Sequence, residues 1–420
     1  MSKLKSSFII LAIAEFTYNI SSYVINMGLG RMLGVADYGR YSLVIGFTTM
    51  IILLVGRSIP TAMMKRISEN LNDWSRILAI RKSAATIQIV IIISLTIIFY
   101  LSSPLIAKIF GDTTLTPLFK LSSLVIPTFA LSSFHVLYFN GLKYFKAMTT
   151  LKIARGIFRI SWILGLAYLL GLRGAIFGSI LAPLSVFLVA VIIEIFFIKK
   201  PKNIRIAKYP YKKILSYAGG FILFVVFYEF YIRTDMYLIK TLTGSDTNTG
   251  LYNAAVTIAL IPYYVMFALT FILFPTISDL AKRQDHKEIQ KVLKKVIIFL
   301  FTLLIPSALV MALIPDLLVT IFFGNKFATS ATLIPYMLGG AIFITIFYVL
   351  ASVFNGANMT KIPVTITITA LIIGITANIQ FLPTCGIKAT AIIFSLTATF
   401  MGISSLIMMY VKFFKNKKYT

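Results

Sequence analysis

Apolar residues run along this chain in stretches of about twenty, separated by short polar segments in which the charges collect. A helix rising about 1.5 Å per residue needs about 20 such residues to cross the ~30 Å hydrocarbon of a bilayer. Twelve runs meet that length, roughly 7–29, 41–63, 84–104, 117–139, 150–170, 174–197, 215–239, 252–274, 296–315, 331–354, 362–383 and 388–411, and each predicts a membrane-spanning helix. Six fall in each half. An even number of crossings returns the chain to its starting side, so the halves are expected to share one orientation, as parallel repeats about an axis along the membrane normal. The first run is too long for the apolar region of a signal peptide, lacks a small-x-small cleavage site and leads straight into eleven more. It is expected to be kept as the first span.

The polar punctuation repeats too. Phe139-Asn140-Gly141 returns as Phe354-Asn355-Gly356, 215 residues on, and Gly39-Arg40-Tyr41 returns as Gly250-Leu251-Tyr252 at 211. Ile59-Pro60-Thr61 pairs with Phe274-Pro275-Thr276, Ile109-Phe110-Gly111 with Phe322-Phe323-Gly324, and Gly171-Leu172-Arg173 with Gly386-Ile387-Lys388. Five echoes in one order and at a nearly constant offset indicate an internal duplication, and two-fold repeats of this size in a membrane chain mark transporters whose path runs between two lobes. The predicted organisation is a six-helix lobe over 1–198, a basic linker over 199–213 and a second six-helix lobe over 214–420.

Composition agrees, with 59% hydrophobic and 13% charged residues. The net charge of +27 invites a nucleic-acid reading, but topology absorbs it. Of the 40 Lys and Arg, 29 fall on the side of the termini and even-numbered loops, 8 on the other side and 3, Arg57, Arg159 and Arg233, within spans. Net of acids the two faces carry +24 and +4, so the rich side is assigned to the cytoplasm of a plasma membrane, with both termini. Its attraction is for anionic lipids; no nucleic-acid partner is expected. The most basic stretch, Lys199 to Lys213, and the helically spaced Lys287, Lys291, Lys294 and Lys295 read as anchors on that surface. One cysteine, Cys385, excludes an internal disulfide, and His135 and His286 are too far apart in sequence to suggest a metal site, so no cofactor is implied. The outer loops are short and the aqueous loops hold only scattered acids, which argues against an embedded glycosyltransferase or polymerase and against any enzyme. Prolines inside spans, Pro127, Pro183, Pro262, Pro306 and Pro335, predict bends, and Gly28, Gly30, Gly34, Gly219 and Gly220 permit bending or close helix approach.

The segment Arg31-Met32-Leu33-Gly34-Val35-Ala36-Asp37-Tyr38-Gly39-Arg40-Tyr41 resembles the turn after the first helix in polysaccharide flippases of the Wzx type, members of the multidrug/oligosaccharidyl-lipid/polysaccharide exporter (MOP) superfamily. Thr243-Gly244-Ser245-Asp246-Thr247-Asn248-Thr249-Gly250-Leu251-Tyr252, followed by Phe274-Pro275-Thr276-Ile277-Ser278, is similar to the same family's passage from helix 7 to helix 8. The resemblance covers essentially the whole chain. It implies an all-α integral membrane fold, a V of two six-helix bundles like that of the multidrug (MATE) exporters. It implies further that a polyprenyl-(pyro)phosphate-linked oligosaccharide crosses from inner to outer leaflet by alternating access, beside other membrane proteins of polysaccharide assembly. Cation-coupled multidrug exporters are the nearest alternative, but they usually carry a carboxylate in a proline-containing first helix. Here that helix has Glu15 and no proline. Lipid II flippases usually have fourteen spans.

Ionisable groups within spans are costly and by default face a cavity or a partner. Glu194, a turn from the end of span 6, is expected to snorkel to the interface. Arg159 lies near the cytoplasmic start of span 5, one turn from Arg155. Glu229 and Arg233, four apart, can pair along helix 7, and Asp235 points elsewhere. The repeat sets Asn26-Met27 against Asp235-Met236 and Arg31 against Lys240 near the outer mouth. Arg57, Arg233, Arg159, Arg31, Asn26 and Lys240 are the candidates to line a cavity and meet a substrate phosphate. Glu15, Asn19, Glu229 and Asp235 are the candidates for a coupling ion or charge partner. Asn140 and Asn355 read as turn or C-cap residues.

Overall fold

A computed structural model describes residues 2–198, 201, 208–215 and 220–415, with side chains throughout these except at 2–16, 19, 57, 220–223, 268, 271 and 272. Helices and turns make up the described residues. Seven helices there are long and apolar enough to cross a membrane, eight if one bent pair counts as a span. Three of the seven are far too long to be single crossings. Phe145–Phe197, at 53 residues, would measure about 80 Å if straight, more than twice the hydrocarbon thickness. It breaks at Gly171, whose φ of 59° belongs to glycine.

Beyond that break the chain doubles back. The Trp162 indole Nε1 donates to Ser185 Oγ at 3.0 Å, and a Cβ on Gly178 would meet the Trp162 backbone at 2.4 Å, so the two arms form an antiparallel hairpin. Lys361–Tyr410 breaks likewise at Gly386, with Gly374 facing Thr397 across the hairpin, and Ser2–Ser68 breaks at Gly34. We therefore number α1 as 2–33, α2 as 35–68, α3 as Trp74–Ile109, α4 as Val125–Gly141, α5 as 145–170 and α6 as 172–197. In the second half α7 is Gly220–Thr243, and α8 is Asp246–Ala259 continuing through a 50° bend into Ile261–Lys282. His286–Leu313 is α9, Ile334–Gly356 is α10, and 361–385 and 387–410 are α11 and α12. Among the described residues this makes twelve numbered helices, α4 being the last 17 residues of a helical span that starts at Thr113, and twelve is the number read from the apolar runs.

Several boundaries moved. The third apolar run begins at residue 84, yet α3 starts ten residues earlier, where Asp73 caps it by accepting the Arg76 backbone N–H at 3.0 Å. Asp285 caps α9 on Glu288 in the same way. Pro262 and Pro335, expected within spans, stand in the first turn of a helical segment, where the missing N–H has no bond to lose. Large apolar side chains lie exposed along α3, α5 and α6, including Leu101, Tyr168, Leu169 and Phe196, as suits helices solvated by lipid.

The chain divides into two compact units. One comprises 1–33 and 40–222, the other 34–39 and 223–420. In the first unit, a core of Ile59, Met63, Ile67, Ile80, Tyr138, Phe139, Leu151 and Val186 also takes in Ile214, just past the basic segment. The second unit has its counterpart in Leu273, Ile277, Leu293, Ile346, Leu350 and Phe354. The repeated Phe-Asn-Gly explains itself here. Phe139 and Phe354 are buried, while Gly141 and Gly356 are helical and touch backbone: a Cβ on Gly141 would stand 3.0 Å from Met64 O, and one on Gly356 2.8 Å from Phe274 O. Asn140 and Asn355 are therefore not left-handed caps. Those are Lys143 and Asn358, at φ 59° and 60°, again 215 residues apart. The duplication is thus written in backbone conformation as well as in sequence, with Gly111 and Gly324 as a further left-handed pair.

Candidate functional site

In the first unit, α5 presents Arg159 to α1. Its Nη1 donates to Ser21 Oγ and Ser22 Oγ at 3.2 and 3.1 Å, and its guanidinium lies 4.6 Å from the centre of the Tyr18 ring. These partners are neutral. Among the described residues no carboxylate pairs with Arg159, so a permanent positive charge sits partly buried at membrane depth with hydroxyls and a π face for company. Asn26, one turn beyond Ser22, donates its Nδ2 to Ser22 O at 2.8 Å, and Arg31 is exposed three residues before the Gly34 break. The side chains of Glu15, Asn19 and Arg57 lie outside the described residues.

Sequence reading missed a second cluster in this unit. Glu194 does not snorkel: it is 6% exposed, its Oε1 and Oε2 take Arg81 Nη1 and Nη2 at 2.5 and 2.7 Å, and His135 Nε2 stands 3.5 Å from Oε2. Arg81 also lies over the Tyr138 ring, 4.5 Å from its centre. Arg81 fell outside the third apolar run and so read as a loop residue; the earlier start of α3 brings it within the helix.

The second unit holds a carboxylate with neutral partners. Asp235 of α7 is 8% exposed, accepts from Tyr252 OH of α8 at 2.7 Å through Oδ2, and accepts from Asn378 Nδ2 of α11 at 3.0 Å through Oδ1. Asn378 is fully buried, and its own Oδ1 has no hydrogen-bond partner. A buried carboxylate whose described partners are two neutral donors is a group able to take up a proton at membrane depth. Glu229 and Arg233 pair along α7 as their spacing predicts, at 3.4 Å, and Arg233 Nε is buried without a partner. Lys240 has another task. It is 1% exposed, and its Nζ donates to Asp246 Oδ1 at 2.6 Å and to Gly244 O at 3.3 Å, tying the end of α7 to the start of α8. An aromatic group from α7, α8 and α10, with Tyr228, Tyr263, Phe267 and Tyr348 at centroid spacings of 4.8 to 5.4 Å, includes the residue next to Glu229.

Solved structures share this fold over nearly the whole chain. An inward-facing multidrug resistance MATE family transporter of the MOP superfamily superposes with a TM-score of 0.80 at 11% identity, covering 97% of this chain and 99% of its own. The lipid II flippase MurJ in an inward closed conformation gives 0.73 at 19%, covering 96% and 87%. A MOP superfamily transporter from Pyrococcus furiosus, whose binding pocket of reverse polarity suggests a different function, gives 0.70 at 12%, covering 97% and 96%. By sequence, an uncharacterized membrane protein of Methanocaldococcus jannaschii is 26% identical over 179 residues, 43% of this chain and 34% of that protein. The chain thus spans about a third of the length of the curated relative it matches. Residues 221–379 match the MatE family. Residues 4–281, more than half of the chain, match the family described as polysaccharide biosynthesis protein, and this places the chain, a multi-pass membrane protein, in that family.

Proposed function

We propose that the protein flips a polyprenyl-(pyro)phosphate-linked oligosaccharide from the inner to the outer leaflet by alternating access, for a surface polysaccharide. Arg159 carries this reading. A guanidinium whose partners among the described residues are hydroxyls and an aromatic ring keeps its hydrogen-bonding fork open to an oxyanion, and phosphate is the oxyanion a lipid-linked sugar brings. Arg31 of the same unit is a further candidate, and within the second unit Arg233, with Nε uncommitted, is another, while the aromatic group beside Glu229 offers faces against which sugar C–H groups can stack. Asp235 is the expected coupling-ion residue. The basic face is expected in the cytoplasm of the plasma membrane, near anionic lipids and other polysaccharide-assembly proteins.

A cation-coupled multidrug exporter is the second reading, favoured by the MatE match and by the carboxylate of Asp235. A deletion strain separates the two. Loss of a surface glycan, with lipid-linked precursor collecting in the inner leaflet and head-group translocation restored in proteoliposomes by the purified protein, is the expected result. Unchanged glycan export together with new sensitivity to cationic dyes would instead establish the exporter.

A further inference from the structure

His135 turns both ring nitrogens toward acceptors, one in a hydrogen bond and one across an ion pair. Nδ1 lies 3.0 Å from Leu131 O, a carbonyl that can only accept, and Nε2 lies 3.5 Å from Glu194 Oε2. That carboxylate cannot donate either, because Arg81 holds both its oxygens in a two-pronged pair that fixes it as an anion. A neutral imidazole carries one N–H and would aim its remaining lone pair at one of these oxygens; an imidazolium donates to Leu131 O and sets its positive Nε2–H edge against the Glu194 carboxylate. Three helices, α3, α4 and α6, converge on this cluster. Beside it opens a cavity of about 430 Å³ lined by Arg81, Lys82, Gln88, Phe134, His135 and Phe187. Gln88, 2% exposed, also borders the cavity, and its buried Oε1 has no partner.

We propose that His135, with Glu194 as counter-ion, is a proton-binding site of the first unit, loaded in this conformation, that fastens α4 to α6 and, through Arg81, to α3. On release the Nε2 proton passes to water in the cavity, the imidazole keeps its Nδ1–H on Leu131 O, and Glu194 stays ionised against Arg81. Among the described residues, the charged groups around the ring bear on this balance. Glu194 from α6 favours the proton; Arg81 and the exposed Lys82 from α3 oppose it. Tyr138 of α4 lies under Arg81, and Arg155 of α5 is bound to Ser132 one turn away. The site is separate from Asp235, which belongs to the other unit. Its link to transport rests on the flippase reading; proton binding itself does not.

The chain has two histidines, so His286→Gln leaves His135 as the sole imidazole and makes a ¹⁵N-histidine spectrum in lipid nanodiscs unambiguous. At about pH 7, near the ordinary imidazole midpoint, both ring nitrogens are expected to carry protons, and Glu194→Gln in that background is expected to remove one. Should Glu194→Gln alone fail to fold, Arg81→Gln with Glu194→Gln removes the carboxylate without stranding the guanidinium. A single protonated nitrogen in the parent, or a spectrum indifferent to loss of Glu194, would overturn the site. Head-group flipping measured between about pH 5 and pH 8 is the second arm. His135→Gln should lose the pH dependence that the parent shows. A parent that does not flip head groups speaks against the flippase reading while the spectrum still judges the site. A His135→Gln profile that tracks the parent's overturns the link to transport.

Discussion

Asp235 and Arg159 each face neutral partners at membrane depth, one an anion and the other a cation. Asp235→Asn keeps an acceptor for Tyr252 OH and removes the charge, so folding should survive while coupled transport falls at least about tenfold, ~1.4 kcal/mol in transition-state terms. Tyr252→Phe makes the opposite cut: it leaves the charge and deletes a donor, which should cost about 1–3 kcal/mol of stability, read as lower thermal stability in detergent. Arg159→Ala should abolish head-group translocation with normal membrane insertion, and Arg159→Lys should restore only part of it because the planar fork is gone. For Arg233 the paired alternative is separable. If it serves only Glu229, Arg233→Gln with Glu229→Gln should recover what Arg233→Gln loses; a persistent transport defect in the double variant assigns Arg233 to the substrate. Sequence made some of this visible and hid the rest for a physical reason. Glu229 and Arg233 announce themselves because helical geometry brings positions four apart together. Arg81 and Glu194 are 113 residues apart, and nothing local to either says that α3 and α6 will bring them into contact.

Two kinds of glycine hold the helices, and they should fail differently. Gly171 and Gly386 sit at breaks with positive φ and open space around them, so Ala at either should cost only conformational strain, about 1–3 kcal/mol. Gly250 is a contact glycine: a Cβ there would stand 2.1 Å from Val35 O, and its repeat mate Gly39 would place one 2.2 Å from Asp246 O, both within the second unit. Backbone cannot yield as a side chain does. Gly250→Ala should therefore give little folded protein by size-exclusion chromatography, while Gly171→Ala remains monodisperse with a lowered melting temperature. The sequence echoes located all four glycines, but the motif alone could not separate a turn from a close approach. In Phe-Asn-Gly the sequence suggests the turn or cap at Asn140 and Asn355, since Asn at a helix end can take the left-handed conformation. The structure moves that role three residues on, to Lys143 and Asn358, with Gly141 and Gly356 kept helical against Met64 and Phe274.

Across the whole chain, span number and repeat were legible because lipid imposes a length that water does not, and a duplication preserves where that length is interrupted. Orientation rests on charge alone, +24 against +4, and a single native thiol can test it. Cys385 is exposed and immediately precedes the Gly386 break between α11 and α12. With the basic face inside, the eleventh crossing ends on the outer side. An impermeant maleimide added to intact cells should then label Cys385 without permeabilisation, and Cys385→Ser should abolish the signal. In the Cys385→Ser background, a cysteine introduced at Lys282, on the basic side after α8, should stay silent until the membrane is opened. Because all odd-numbered turns share one side in a chain of alternating crossings, these two positions fix every other loop as well. The reverse pattern, Lys282→Cys labelled in intact cells and Cys385 protected, would place the basic surface outside and with it reverse the leaflet to which the proposed flippase delivers its cargo.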